Sequence, residues 1–219
     1  VWVPDYLERY DPDPLRYLLS ANMPETSDAD FSWREFVRRN NDELVATYGN
    51  LVHRVLTFTA RHFDGRVPEG GELDDRSQAL LERARGTFAR VDSQLGACHF
   101  REALRTIFAL AEESNRYLDD QAPWKTIKAQ RDQAGKTMFT TLCVLSALKT
   151  LLLPFLPFSS SRLHEMLGFT TPIANERWAY HSPAPGQRLP PPVALFTKFD
   201  DSVVEQEAHH ATAAGLRTK

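Results

Sequence analysis

The 219-residue sequence holds only two cysteines, Cys98 and Cys143, far apart in the chain and both within apolar helical patterns. Two lone thiols can neither close a zinc knuckle nor build a disulfide framework, and such sparing use suits a reducing, cytoplasmic compartment. A basic excess is also missing: 26 Lys and Arg stand against 29 Asp and Glu, a formal net charge of −3. Many nucleic-acid binders carry a strongly basic domain; here any RNA contact has to rest on a local patch and on base-specific groups. No Gly-rich phosphate loop, Gly-x-Ser-x-Gly elbow or His-Glu-x-x-His pair occurs. No residue is therefore assigned a catalytic or metal-binding role. His209 and His210 sit in a polar stretch that reads as solvated tail, and Asp119 and Asp120 read as a helix end. No secretory leader opens the chain, which starts with Val1 and not with Met, so it reads as a piece trimmed from a longer polypeptide.

One long hydrophobic run is present. Residues 138–158, MFTTLCVLSALKTLLLPFLPF, could span a bilayer by length. Lys149 inside the run, and Pro154 and Pro157 breaking its end, favour a buried core helix covered by other amphipathic helices. With 42% hydrophobic residues, a chain of this length can bury a core without staples.

The remaining pattern is helical. Residues 1–32 form a connecting segment in which Asp13 can cap a helix that has Pro14 at its first position; residues 27–30 read as a loop and cap. From 33 to 63 the apolar positions Phe36, Leu44, Tyr48, Leu51, Val55 and Phe58 recur at three- and four-residue spacing. Further helices are expected over 74–95, 99–118 and 133–153. A short one is expected over 159–167, capped by Ser159 or Ser160 and closed by Gly168. Five prolines within 180–192 mark an extended run, and residues 193–196 could lie back across the bundle. The expectation is an all-α, antiparallel helical bundle over 33–168, an extended return segment over 169–201 packing on it, and a disordered tail over 202–219.

Two constellations suit recognition rather than catalysis. Asn50 and Arg54 lie four residues apart, on one helix face at the edge of the buried stripe. An amide and a guanidinium in fixed geometry suit the edge of a splayed nucleobase; they equally fit a surface Asn and an Arg covering apolar surface. Pro123 and Trp124 sit at a helix–helix junction. An exposed indole there can stack on an unpaired base, and an inward one would plug the bundle end. Lys125, Lys128, Arg131 and Lys136 supply local positive charge. Arg61, with His62 and Arg66, could extend a phosphate track, and Arg34, Arg38 and Arg39 lie at the other end of the same helix; both groups fit solvated surface charge better. Arg61, Lys125 and Lys128 are the candidate phosphate contacts.

These residues resemble a known family. Asn50-Leu-Val-His-Arg54 is similar to the Asn-x-x-x-Arg of the methionyl-tRNA synthetase anticodon-binding domain, and Ala122-Pro123-Trp124 to its Ala-Pro-Trp. Residues 42–54, DELVATYGNLVHR, resemble its helix throughout; residues 10–19 resemble the segment after the Lys-rich catalytic loop, and residues 195–200 the return segment. The resemblance spans roughly residues 1–201. It implies a class I ligase that joins methionine to tRNA using ATP, with the helical domain reading the anticodon CAU. Asn50 and Arg54 would hydrogen-bond the first anticodon base, Trp124 would stack on it, and Pro123 would hold Trp124 in place. The implied partners are initiator and elongator methionine tRNAs, with no DNA and no membrane. ATP, Mg and methionine would belong to a catalytic domain preceding Val1 in cis, as would the family's zinc insertion. This chain alone is then expected to hold no cofactor and to be inactive. Two other readings stay open: a stand-alone helical-bundle interaction protein, and the anticodon domain of a sister class I synthetase.

Overall fold

The computed structural model describes residues 2–25 and 30–215, with the backbone alone for 211–215. The expected loop and cap at 27–30 falls mostly outside them. Among the described residues the fold is all-α, with a single isolated antiparallel bridge, Arg66–Arg188, in place of any sheet. The helices are α1 (Val3–Leu7), α2 (Pro12–Ala21), α3 (Trp33–Arg39), α4 (Asn50–His62), α5 (Asp75–Gly96), α6 (Phe100–Gln121), α7 (Pro123–Thr126), α8 (Arg131–Leu152), α9 (Pro157–Met166) and α10 (Ser202–Gly215).

The long 33–63 helix forms in three parts. Ser32 starts α3 by accepting the Glu35 N–H on its hydroxyl. Between α3 and α4, Asn40–Gly49 is wound as a π-helix. Phe36, Asn40, Leu44 and Tyr48 are all buried along this stretch, at a spacing of four. After Gly49 the winding returns to α, and α4 buries Leu51, Val52, Val55, Leu56 and Thr59.

α8 lies at the centre. Every residue from Thr140 to Leu152 is buried, because α4, α5, α6, α7 and α9 surround it. That accounts for its membrane-like composition, and no described helix is long and apolar enough to cross a membrane. Lys149, 0% exposed, pairs with Glu176 of the return segment, and its ammonium lies 4.8 Å from the Phe169 ring centre.

Several local expectations need correction. Asp11, not Asp13, precedes α2, which begins at Pro12. Asp13 is itself buried, and its Oδ2 accepts the N–H of Ser159 at 2.6 Å. It thus caps α9 from another helix, and neither Ser159 nor Ser160 caps it. Cys143 is buried in α8, but Cys98 is exposed in the α5–α6 turn at φ +59°. Arg38 and Arg39 are not free surface charge: Glu35, Asp42 and Glu43 pair with them.

The largest correction concerns the end of the chain. Residues 202–215, expected to be disordered, form α10. Val203 and Val204 pack on a second, aromatic-rich core built from Tyr6, Leu15, Leu18, Phe36 and Val37. Glu207, 4% exposed, accepts from Arg9 Nε and Nη2 at 3.0 and 2.8 Å and from the Tyr10 hydroxyl at 2.7 Å. Positions 203, 204 and 207 make one helical face, a pattern too short to outweigh the polar average of the segment. The return segment runs from α9 to this core. Gly168, at φ +79°, starts it: a Cβ there would lie 2.2 Å from the Arg188 carbonyl oxygen.

Candidate nucleic-acid interface

The site forms where the C-terminal end of α6 meets α4. α6 ends at Ala122, whose left-handed conformation (φ 42°, ψ 58°) turns the chain by one residue. Pro123 follows at the first position of α7, where its fixed φ suits a helix start and its missing N–H leaves nothing unsatisfied. Pro123 is buried and wedges the turn against the bundle; Trp124, next in sequence, points outward and is 45% exposed.

Arg54 meets this indole. Its guanidinium carbon lies 5.3 Å from the Trp124 ring centre, and its Nη2 pairs with Asp119 near the end of α6. The two stretches, 70 residues apart in sequence, therefore converge. They share a groove of about 360 Å³ lined by His53, Arg54, Thr57, Arg61, Pro123 and Trp124, with Leu118 and Met138 at its floor.

Each candidate residue has a definite place. Asn50 is exposed one turn before Arg54 on the same face of α4; it is outside the groove lining, and its side chain makes no hydrogen bond among the described residues. Arg61 is exposed and lines the far end of the groove. Lys125 and Lys128 are exposed on and just after α7, near the groove but not lining it. The structure thus brings Arg54, Arg61, Pro123 and Trp124 together, sets Asn50 beside them, and leaves the two lysines on the flank.

Sequence reasoning missed Asp119. Read as an inert helix end, it is the carboxylate that orients Arg54, while Asp120 pairs with Arg76. Its signal was its position, on the last turn of the helix that presents Trp124. Phe58 and His62, with ring centres 4.4 Å apart, also line the groove. No group of three or more metal-ligating side chains occurs among the described residues.

Residues 67–218 match the model of the anticodon-binding domain of methionyl tRNA ligase, and residues 1–56 match that of class I tRNA synthetases (M). The chain belongs to the methionyl-tRNA ligase family. The boundary between the two matches falls between the halves of the site, with Asn50 and Arg54 in one and Trp124 in the other. The chain is 55% identical over 207 residues to a methionine–tRNA ligase of Dehalococcoides mccartyi, covering 94% of this chain and 37% of that protein. It is 43% identical to the methionine–tRNA ligase of Thermomicrobium roseum, covering 97% and 41%. The Mycobacterium tuberculosis methionyl-tRNA synthetase bound by methionyl-adenylate superposes with a TM-score of 0.83 at 31% identity, over 88% of this chain and 39% of that one. The chain spans about two fifths of the length of the relatives it matches. Membership of the methionyl-tRNA ligase family sets aside the sister-synthetase reading.

Proposed function

We propose that this chain reads the CAU anticodon of initiator and elongator methionine tRNAs as part of a cytoplasmic methionine–tRNA ligase. The residues that handle ATP, Mg and methionine would lie in a catalytic domain joined in cis, outside the two fifths matched here. The observation that carries the reading is the half-exposed Trp124 indole with the Arg54 guanidinium beside it.

An unstacked first anticodon base stacks on Trp124. Arg54 and Asn50 then face its hydrogen-bonding edge, the guanidinium as donor only and the amide as donor and acceptor. A cytosine offers both an amino donor and ring acceptors, so this pair can match it. In the free protein Asp119 engages Arg54; the base exchanges with that carboxylate for part of the fork. Pro123 holds Trp124 in place without touching RNA. Arg61, Lys125 and Lys128 contact the backbone of the anticodon loop, a contribution that weakens with salt.

The test is a titration of the 219-residue chain with a CAU stem-loop and with stem-loops of unrelated anticodon. CAU is expected to bind more tightly, and Trp124→Ala to weaken it by about 1–3 kcal/mol, the range for base–aromatic stacking. Equal affinity for CAU and the unrelated loops would return the chain to a helical bundle that uses its surface for a protein partner.

A further inference from the structure

Asn50 depends on its backbone for its place, and α6 holds that backbone. The π-helical segment hands over to α4 at Asn50, whose N–H is directed at the carbonyls of Thr47 and Val45. The Thr47 carbonyl accepts a second donor, Asn115 Nδ2 at 3.0 Å; the same nitrogen lies 3.3 Å from the Ala111 carbonyl. Two acceptors on one side fix which end of the amide carries the hydrogens.

Asn115 and Asp119 are one turn apart on α6, as Asn50 and Arg54 are on α4. α6 therefore touches the reading stripe at two successive rungs. Asp119 takes the Arg54 guanidinium, and Asn115 takes the carbonyl that receives the Asn50 N–H. A π-to-α junction is a place where helix phase can change, since converting one i→i+5 ring to i→i+4 rotates every residue beyond it about the axis. The start of the segment is anchored separately. Asn40 donates to the Thr197 carbonyl, and Asn41 donates to the Phe199 carbonyl and accepts the Phe199 N–H.

We infer that Asn115 is a positioning residue for anticodon reading: by bonding the Thr47 carbonyl it pins the π-to-α junction and holds Asn50 in phase with Arg54 and Trp124. This rests on the function proposed above. Asn115 acts through Asn50 and does not touch the RNA.

Asn115→Leu keeps the volume and removes the donor. In the 219-residue chain, the preference for a CAU stem-loop over one altered only at the first anticodon base should fall about tenfold. Affinity for the altered loop should stay within twofold of the parent, and the thermal midpoint should stay close to it. Asn50→Ala made in the Asn115→Leu background should cost little further discrimination, since both act on one contact. Full discrimination in Asn115→Leu overturns the inference. So does an equal loss for both loops with a lowered midpoint, which is the result for a merely structural residue. So, too, do Asn50 and Asn115 effects that simply multiply. If Asn115→Leu fails to fold, Asn115→Ser, too short to reach Thr47, carries the same expectations. A parent chain without any CAU preference sinks the proposed function instead, so the two failures are distinguishable.

Discussion

Two of the places where a cation, a carboxylate and an aromatic ring meet lie in opposite surroundings. At one end Arg54 pairs with Asp119 and lies against Trp124, with side-chain exposures of 28% for the arginine and 59% for the aspartate. At the other, Lys149 pairs with Glu176 and lies against Phe169, with exposures of 0% and 12%. The components are alike, but the water is not. Unit charges 4 Å apart attract by about 1 kcal/mol in bulk water and by several times that where the effective dielectric is near 20. The open cluster can exchange its carboxylate for another acceptor at little cost. The closed one fastens the return segment to the central helix and has no such freedom.

The largest expected effect follows from breaking the closed cluster. Burial pulls the Lys149 ammonium below its usual pKa, and the hydrogen bond and charge of Glu176 pull it back. Removing the cation strands a nearly buried carboxylate. Lys149→Met should lower unfolding free energy by about 3–5 kcal/mol, the range for breaking a buried pair from one side. Replacing both, as Lys149→Met with Glu176→Leu, should recover most of the loss. Urea unfolding measures each; a single variant within 1 kcal/mol of the parent would mean that the closed cluster is no staple.

A smaller, pH-dependent effect sharpens the same contrast. His164, 3% exposed in its side chain, has Nε2 2.6 Å from the Thr171 carbonyl and Nδ1 3.4 Å from Glu176. Desolvation, aided by the Lys149 charge, holds its imidazole below the usual histidine pKa, against the Thr171 carbonyl and the carboxylates of Glu176 and Glu165. The folded state therefore favours the neutral ring. That contribution is fully present above the unfolded value, near 6.5, and is lost as pH falls through it toward the lower folded value. Thermal midpoints should drop between pH 7 and pH 5, and the drop should be shallower in His164→Gln. Parallel pH profiles for the two proteins would count against this.

The two clusters also differ in how legible they were. The order of α4, α5, α6, α8 and α9 and the inward face of α4 follow from helical periodicity, and Trp124 after a proline at a junction pointed to the open site. Asp119 did not, because a carboxylate at a helix end has an ordinary explanation and its partner lies 65 residues away. The π-helix was not legible, because the spacing of Phe36, Leu44 and Tyr48 runs on through Val52 and Leu56 in the α-helical part. Lys149 served only as a charge against a membrane span, and its partner went unread, since Glu176 sits in a segment with no helical periodicity. α10 was missed because two valines and one glutamate carry its docking, and composition averages them away.

The smallest effect tests the open cluster directly. Asp119→Asn removes the charge that orients Arg54 and keeps the side-chain shape. Both partners remain in contact with water, so stability should fall by less than about 1 kcal/mol, as for exposed pairs. The deficit should fade in 1 M salt, where the Debye length is about 3 Å. The Lys149→Met deficit should persist there, because salt screens buried pairs much less. A loss of 2–3 kcal/mol for Asp119→Asn that survives high salt would place Arg54 in the same category as Lys149. Its guanidinium would then be fixed in place rather than available to a base, and reading by exchange at Arg54 could not operate.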